Sequence, residues 1–162
     1  MTVYGEIVGF LPTGEPIQKG YDYGCASTEY KFYIYRITTT DPLGHVLDWS
    51  WEQIKAWCSL AGFNHVPELY SGYMRNWKNG NFNFENLLEE LKSEYLEKKC
   101  WNCNNDVWDE GIILRRDNYL TFNVFKLKSF NFWQYETKML DDGIVDLESA
   151  EDELQEEQGD VI

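Results

Sequence analysis

From Val3 to Phe10 the chain is apolar except at Gly5, Glu6 and Gly9, which predicts a buried strand whose glycines let another backbone come close. A polar segment punctuated by glycine follows from Pro12 to Cys25. Along Tyr30–Thr38, Phe32, Ile34 and Arg36 alternate with Tyr33, Tyr35 and Ile37, the pattern of a second strand. Asp41-Pro42-Leu43-Gly44 reads as a turn. Ser50 opens a helix to about Ala61, with Trp51, Ile54, Trp57 and Cys58 at helical spacing and Gly62 as its stop. His65 to Tyr70 is a short extended segment, and Asn83 to Lys98 a second amphipathic helix with Leu87, Leu88, Leu91 and Tyr95 on one face. A loop bearing Cys100 and Cys103 leads to a strand over Gly111–Arg115, then another over Thr121–Ser129, then a helical stretch from Phe132 to Leu140. Strands interleaved with helices at irregular spacing point to an α+β fold, mostly antiparallel sheets with flanking helices, rather than a doubly wound sheet.

Composition sharpens this picture. Hydrophobic residues make up 43% of the 162 and aromatics 17%, ample for one packed core, and so many aromatics also suit a protein that stacks on bases. The net charge of −14 is unevenly spread: from Met139 onward there are ten acidic residues and no basic ones. Without them 18 acidic residues face 14 basic ones, so a local basic strip remains compatible with a nucleic-acid partner. Residues 1–148 are read as one domain and 149–162 as an acidic, disordered tail. No run approaches the roughly 20 apolar residues of a membrane span, and no signal peptide is visible, so the expected location is cytoplasmic, with no membrane partner.

Four segments carry candidate chemistry. Tyr4-Gly5-Glu6-Ile7-Val8-Gly9 places a carboxylate in an apolar strand, where burial demands a partner. Phe32 to Ile37 is an aromatic strand. Glu110-Gly111 sets a carboxylate at the mouth of a strand, as a ligand for a divalent metal or a hydroxyl, or simply as a strand-end charge. In Phe125-Lys126-Leu127-Lys128-Ser129 the two lysines share one face and repel unless an anion sits between them, an arrangement that suits a phosphate; the plainer alternative is a solvated strand face.

In this order the segments resemble the later motifs of the covalent nucleotidyltransferase superfamily, and within it the ATP-dependent RNA ligases. Tyr4-Gly5-Glu6 resembles the third motif, Phe32 to Ile37 the aromatic one after it, Glu110 to Arg115 the fourth and Phe125 to Ser129 the fifth. The ligase branch is favoured by Tyr4–Phe10 with Ile17–Cys25, by Cys100–Arg115, and by Phe125–Glu148 with its Glu136-Thr137-Lys138. The resemblance implies a partial nucleotidyltransferase domain that uses ATP and Mg2+ and acts on RNA ends. A lysine takes AMP from ATP, AMP passes to an RNA 5′-phosphate, and a 3′-hydroxyl displaces it. Lys126 and Lys128 would neutralise the α-phosphate, Glu110 would hold the metal, and Glu6 would grip the ribose or join the metal site. Either Phe32 or the Tyr33–Tyr35 pair would face adenine, with Phe32 and Tyr33 the favoured candidates. Arg115 is expected to contact substrate phosphates.

The nucleophile motif Lys-x-Asp-Gly is missing: Lys19-Gly20-Tyr21-Asp22 and Lys138 to Gly143 both miss its spacing. The chain opens almost directly at the third motif, so the expectation is a C-terminal portion of a catalytic domain that needs a lysine-bearing N-terminal segment. The alternative is a non-catalytic nucleotide- or RNA-binding remnant. Cys100-Trp101-Asn102-Cys103 has zinc-knuckle spacing, with Cys25 or Cys58 to complete a tetrad; the competing reading is reduced cysteines packed near the strand entry. His45 and His65 stand near no nucleophile signature and are assigned no chemistry.

Overall fold

The computed structural model describes residues 1–81, 83–117 and 122–143. The tail expected over 149–162, the residues before it from 144, and Thr121 at the expected start of a strand lie outside the described residues. The fold is α+β, with two sheets among the described residues. In the first, β1 (Thr2–Gly9) runs antiparallel along one edge of β2 (Tyr30–Thr40). The other edge of β2 takes β3 (Val46–Asp48) antiparallel and β4 (Asn64–His65) parallel. Between these two strands runs α1 (Trp51–Ala61). Further on come α2 (Leu87–Tyr95), the antiparallel pair β5 (Gly111–Asp117) and β6 (Phe122–Lys128), and α3 (Phe130–Asp141). Among the described residues no helix is long and apolar enough to cross a membrane.

α1 begins and ends where its sequence says it should. The Ser50 side chain accepts from Gln53 N, Gln53 reaches back to the Ser50 amide, and Gly62 closes the helix at φ 75°. The helix lies on the first sheet through Ile54 and Cys58, which meet Ile34 and Ile37 in a cluster walled by Val3, Phe32, Trp49 and Trp57. Each of the three isoleucines is fully buried and contributes about 1.5–3 kcal/mol. Ile34 and Ile37 reach this face together, despite their odd spacing, because β2 carries a bulge. Tyr4 pairs with Arg36 and Gly5 with Ile34, which leaves Tyr35 as the extra residue. A second core forms where α2 covers β5 and β6, with Trp77, Leu91, Leu96 and Ile112 at its centre.

Three elements differ from the sequence expectation. The second helix, expected over Asn83–Lys98, is α-helical only from Leu87 to Tyr95. The Asn83 side chain accepts from Glu85 N and draws the first turn into a tighter 3-10 form over Phe84–Asn86. At the other end Leu96 is extended and Glu97 has φ 57°. The third helix starts at Phe130, two residues before the expected Phe132, because the Ser129 hydroxyl accepts from Phe132 N and caps it there. The extended segment expected from His65 to Tyr70 reduces to Asn64–His65.

Glu97 serves the start of α3 as well. Its carboxylate accepts from Phe130 N at 2.6 Å and from Asn131 N and the Ser129 hydroxyl at 3.0 Å. Burial opposes its ionisation, yet those donors outweigh burial and hold its pKa below the ordinary value of 4.5. A lowered pKa means stability that is present above the ordinary value and lost as pH falls through the lowered one. Glu97→Gln is therefore expected to cost about 1 kcal/mol at pH 7. In urea titrations across pH, the gap between parent and variant should be full above the ordinary Glu value and close as pH falls through the lowered one; a gap independent of pH contradicts this account.

Candidate functional site

Separate strands deliver the side chains that the sequence marks out. Glu6 lies within β1 opposite Tyr33, Glu110 immediately precedes β5, and Lys126 lies on β6 opposite Ile113. Strand pleating gives β5 and β6 two faces. Ile112, Leu114 and Leu127 turn to the α2 core, so Gly111, Ile113 and Arg115, with Lys126 and Lys128 beside them, occupy the opposite face. There Lys126 Nζ stands 3.9 Å from Glu110 Oε2. Glu6 belongs to the same electrostatic group: burial raises its pKa, the Glu110 charge raises it further, and Lys126 lowers it.

Glu110 is positioned by residues that sequence reasoning missed. Its Oε1 accepts from Gln18 Nε2 at 2.8 Å and from the Tyr23 hydroxyl at 3.1 Å, and that hydroxyl also donates to Gln18 Oε1. Burial and then the Glu110 charge push the Tyr23 pKa upward, so the phenol stays protonated as a donor. Tyr21, on the same segment, donates to the Trp108 carbonyl at 2.6 Å. The one sequence signal for Gln18 and Tyr23 was their place in Ile17–Cys25, a stretch that favoured the ligase resemblance. On the backbone side, Ser129 N donates to the Glu110 carbonyl at 2.7 Å. Gly111 follows at φ 146°, where a Cβ would run into the Leu127 carbonyl oxygen. Glycine after the glutamate is thus a steric requirement of the β5–β6 pairing.

The other marked residues divide. Tyr33 shares the Glu6 face of the first sheet, whereas Phe32 packs into the α1 core and Tyr35 is the bulged residue. Lys128, although on the Lys126 face, pairs with Glu136 at 2.6 Å and lies over the Phe132 ring at 5.2 Å. Arg115 stands between the sheets. Its Nε donates to Asp117 at 2.6 Å, Nη1 to the Tyr35 carbonyl at 3.1 Å and Nη2 to the Trp49 carbonyl at 2.7 Å. The Phe122 ring lies 4.3 Å from its guanidinium and 5.2 Å from that of Arg36. In this arrangement Arg115 ties the two sheets together.

The cysteines do not come together as a tetrad. Cys58 is in the α1 core and Cys25 lies beside Gly9, while Cys100 and Cys103 neighbour each other. Burial, with the Cys103 thiol beside it, pushes the Cys100 pKa up to about 12. Among the described residues, no group of three or more His, Cys, Asp and Glu side chains is gathered to hold a metal ion. Among the described residues, Cys100 and Cys103 are not joined by the further ligands a structural zinc takes.

A protein-family model described as RNA ligase matches residues 1–130. No curated protein and no solved structure matches the chain.

Gly111→Ala is expected to separate β5 from β6 beside Glu110 and to destabilise the chain by about 2 kcal/mol or more. A urea midpoint equal to the parent's would contradict the steric requirement.

Proposed function

The chain belongs to the RNA ligase family, and from that premise we propose that it supplies the phosphate-handling part of an ATP-dependent strand-sealing site. RNA is the substrate class the family implies. The finer reading, sealing of RNA ends through adenylylated intermediates, is supported above all by the approach of Lys126 to Glu110 with Glu6 beside them.

Each of these residues has work to do on a nucleotide. Nucleotidyl transfer places growing negative charge on phosphoryl oxygens, and a lysine held close by is the direct way to neutralise it. Lys126 would take that role at the α-phosphate, with Lys128 next along the strand. Tyr33 offers the aromatic ring on the Glu6 face, for stacking on adenine. Mg2+ suits the carboxylates, because it binds through one or two carboxylates together with substrate phosphates. Burial and the Glu110 charge make ionised Glu6 costly, and a divalent cation would relieve the repulsion. When bound, the metal would polarise phosphoryl oxygens as a Lewis acid. Glu110 would hold it, oriented by Gln18 and Tyr23. Glu6 would join it or hold the ribose.

The nucleophile is a separate matter. No Lys-x-Asp-Gly occurs in these 162 residues, so the attacking lysine would come from a segment outside them. Its amine would form the N–P bond to AMP as the bond to pyrophosphate breaks. The same missing motif favours a second reading, a nucleotide- or RNA-binding protein that performs no transfer.

Transfer of labelled AMP from ATP, with magnesium, separates the two. The chain would be assayed alone and mixed with a lysine-bearing segment of another RNA ligase. Label is expected on the added segment only, and about 100-fold less of it with Lys126→Ala or Glu110→Ala. Label on this chain alone would reveal a nucleophile the sequence does not show. ATP binding that depends on Lys126, without label in either mixture, would favour the binding protein.

A further inference from the structure

α3 is apolar on two sides, and the fold uses only one. Phe132 is buried, and both it and Tyr135 meet the Tyr21 ring edge-on. On the other side Phe130 and Trp133, one helical turn apart, are 57% and 51% exposed. Their rings sit 5.8 Å apart, tilted by 33°. Two large aromatics left in water on the same face are unusual enough to ask what covers them.

The charge around them answers. Both rings line a groove of about 410 Å³, floored by Leu96 and edged by Lys92 from α2 and Lys128 from the end of β6. In a chain of net charge −14, this pairing of aromatic rings with lysines runs against the overall field. The carboxylate in the groove, Glu97, is committed to the first amides of α3 and the Ser129 hydroxyl. Lys92 and Lys128 do have partners, Glu89 at 3.1 Å and Glu136 at 2.6 Å. Those are solvent-accessible ion pairs of little worth, which leave the ammonium groups able to turn to a stronger anion. An apolar helix or a second copy of the chain would bury such lysines at a loss, whereas a polyanion with flat apolar rings matches both features.

We propose that this groove binds the single-stranded end of the RNA substrate, with a base stacked on Trp133 and Phe130 and the flanking phosphate between Lys92 and Lys128. Stacking platforms beside cations are how single strands are held without regard to sequence. The groove and the candidate site meet at β6. Lys128 lies two residues from Lys126 on the same strand face, roughly 7 Å along β6. Lys128 is thus shared between the groove, which opens beside the end of α2, and the strand face that carries Lys126. The inference rests on the ligase reading for its choice of RNA.

Anisotropy of a 5′-phosphorylated, 3′-labelled oligoribonucleotide tests it on the full chain. Trp133→Ala should weaken binding about 10-fold, and Trp133→Phe, which keeps a ring, should restore most of it. Lys92→Gln should reduce the slope of log affinity against log salt by about 0.7. Equal affinity for the parent and Trp133→Ala, or no binding by the parent at low salt, overturns the proposal. So does self-association in sedimentation that Trp133→Ala abolishes while RNA affinity stays unchanged, since the face would then belong to a second copy. The AMP-transfer assay keeps the two readings apart. Trp133-dependent RNA binding without Lys126-dependent handling of ATP would defeat the ligase reading and leave this groove standing, and the converse would defeat the groove alone.

Discussion

The Arg115 guanidinium is the point at which two small, separately cored sheets become one body. It grows from β5, yet it donates to carbonyls of Tyr35 and Trp49 in the first sheet, and it is charge-balanced by Asp117 on its own strand. Asp117 in turn accepts from Trp51 N, the first amide of α1. A hydrogen bond from a charged donor to a carbonyl is stronger and more directional than an apolar contact. It fixes how β5 sits against β2, and so how far Glu110 and Lys126 stand from Glu6. Among the described residues the sheets have no strand pairing with each other, so side-chain ties of this kind, with the 12–25 segment, set the geometry of the site.

That segment makes the second constraint. Gln18 and Tyr23 grip one oxygen of Glu110 and leave the other towards Lys126. Lys31 secures the segment from β2 by donating to the Tyr23 and Gly24 carbonyls. Asp22 secures it from the Cys100–Cys103 loop by accepting from Asn104 N. The cysteine loop thereby gains a use that does not need a metal: it buttresses the segment that orients a carboxylate.

Local signals were legible where the chemistry of one or two residues decides the backbone. Ser50 and Gly62 bounded α1, and the alternation around Lys126 placed β6 and its two lysines on one face. The membership in the RNA ligase family, too, was written in the order of short segments. What alternation cannot reveal is an insertion in a pleat. The bulge at Tyr35 assigned Phe32 to the core and Tyr33 to the Glu6 face, a choice that strict alternation left open. Arg115 looked like a substrate contact because a strand-end arginine near lysines fits phosphate. Its partners are main-chain carbonyls more than sixty residues away in sequence, which no local pattern encodes.

The bulge also governs how the chain tolerates change in length. Because Tyr35 is the surplus residue, the segments of β2 on either side of it are out of phase by one. Deleting Tyr35 would bring them back into phase and leave Ile34 and Ile37 on the α1 face by plain alternation. Paired without the bulge at its present length, the strand would instead present Ile37 away from α1, and Arg36, now paired with Asp48 at 2.6 Å, would be driven towards the isoleucine core. The strand can therefore lose its bulge only together with the residue that causes it.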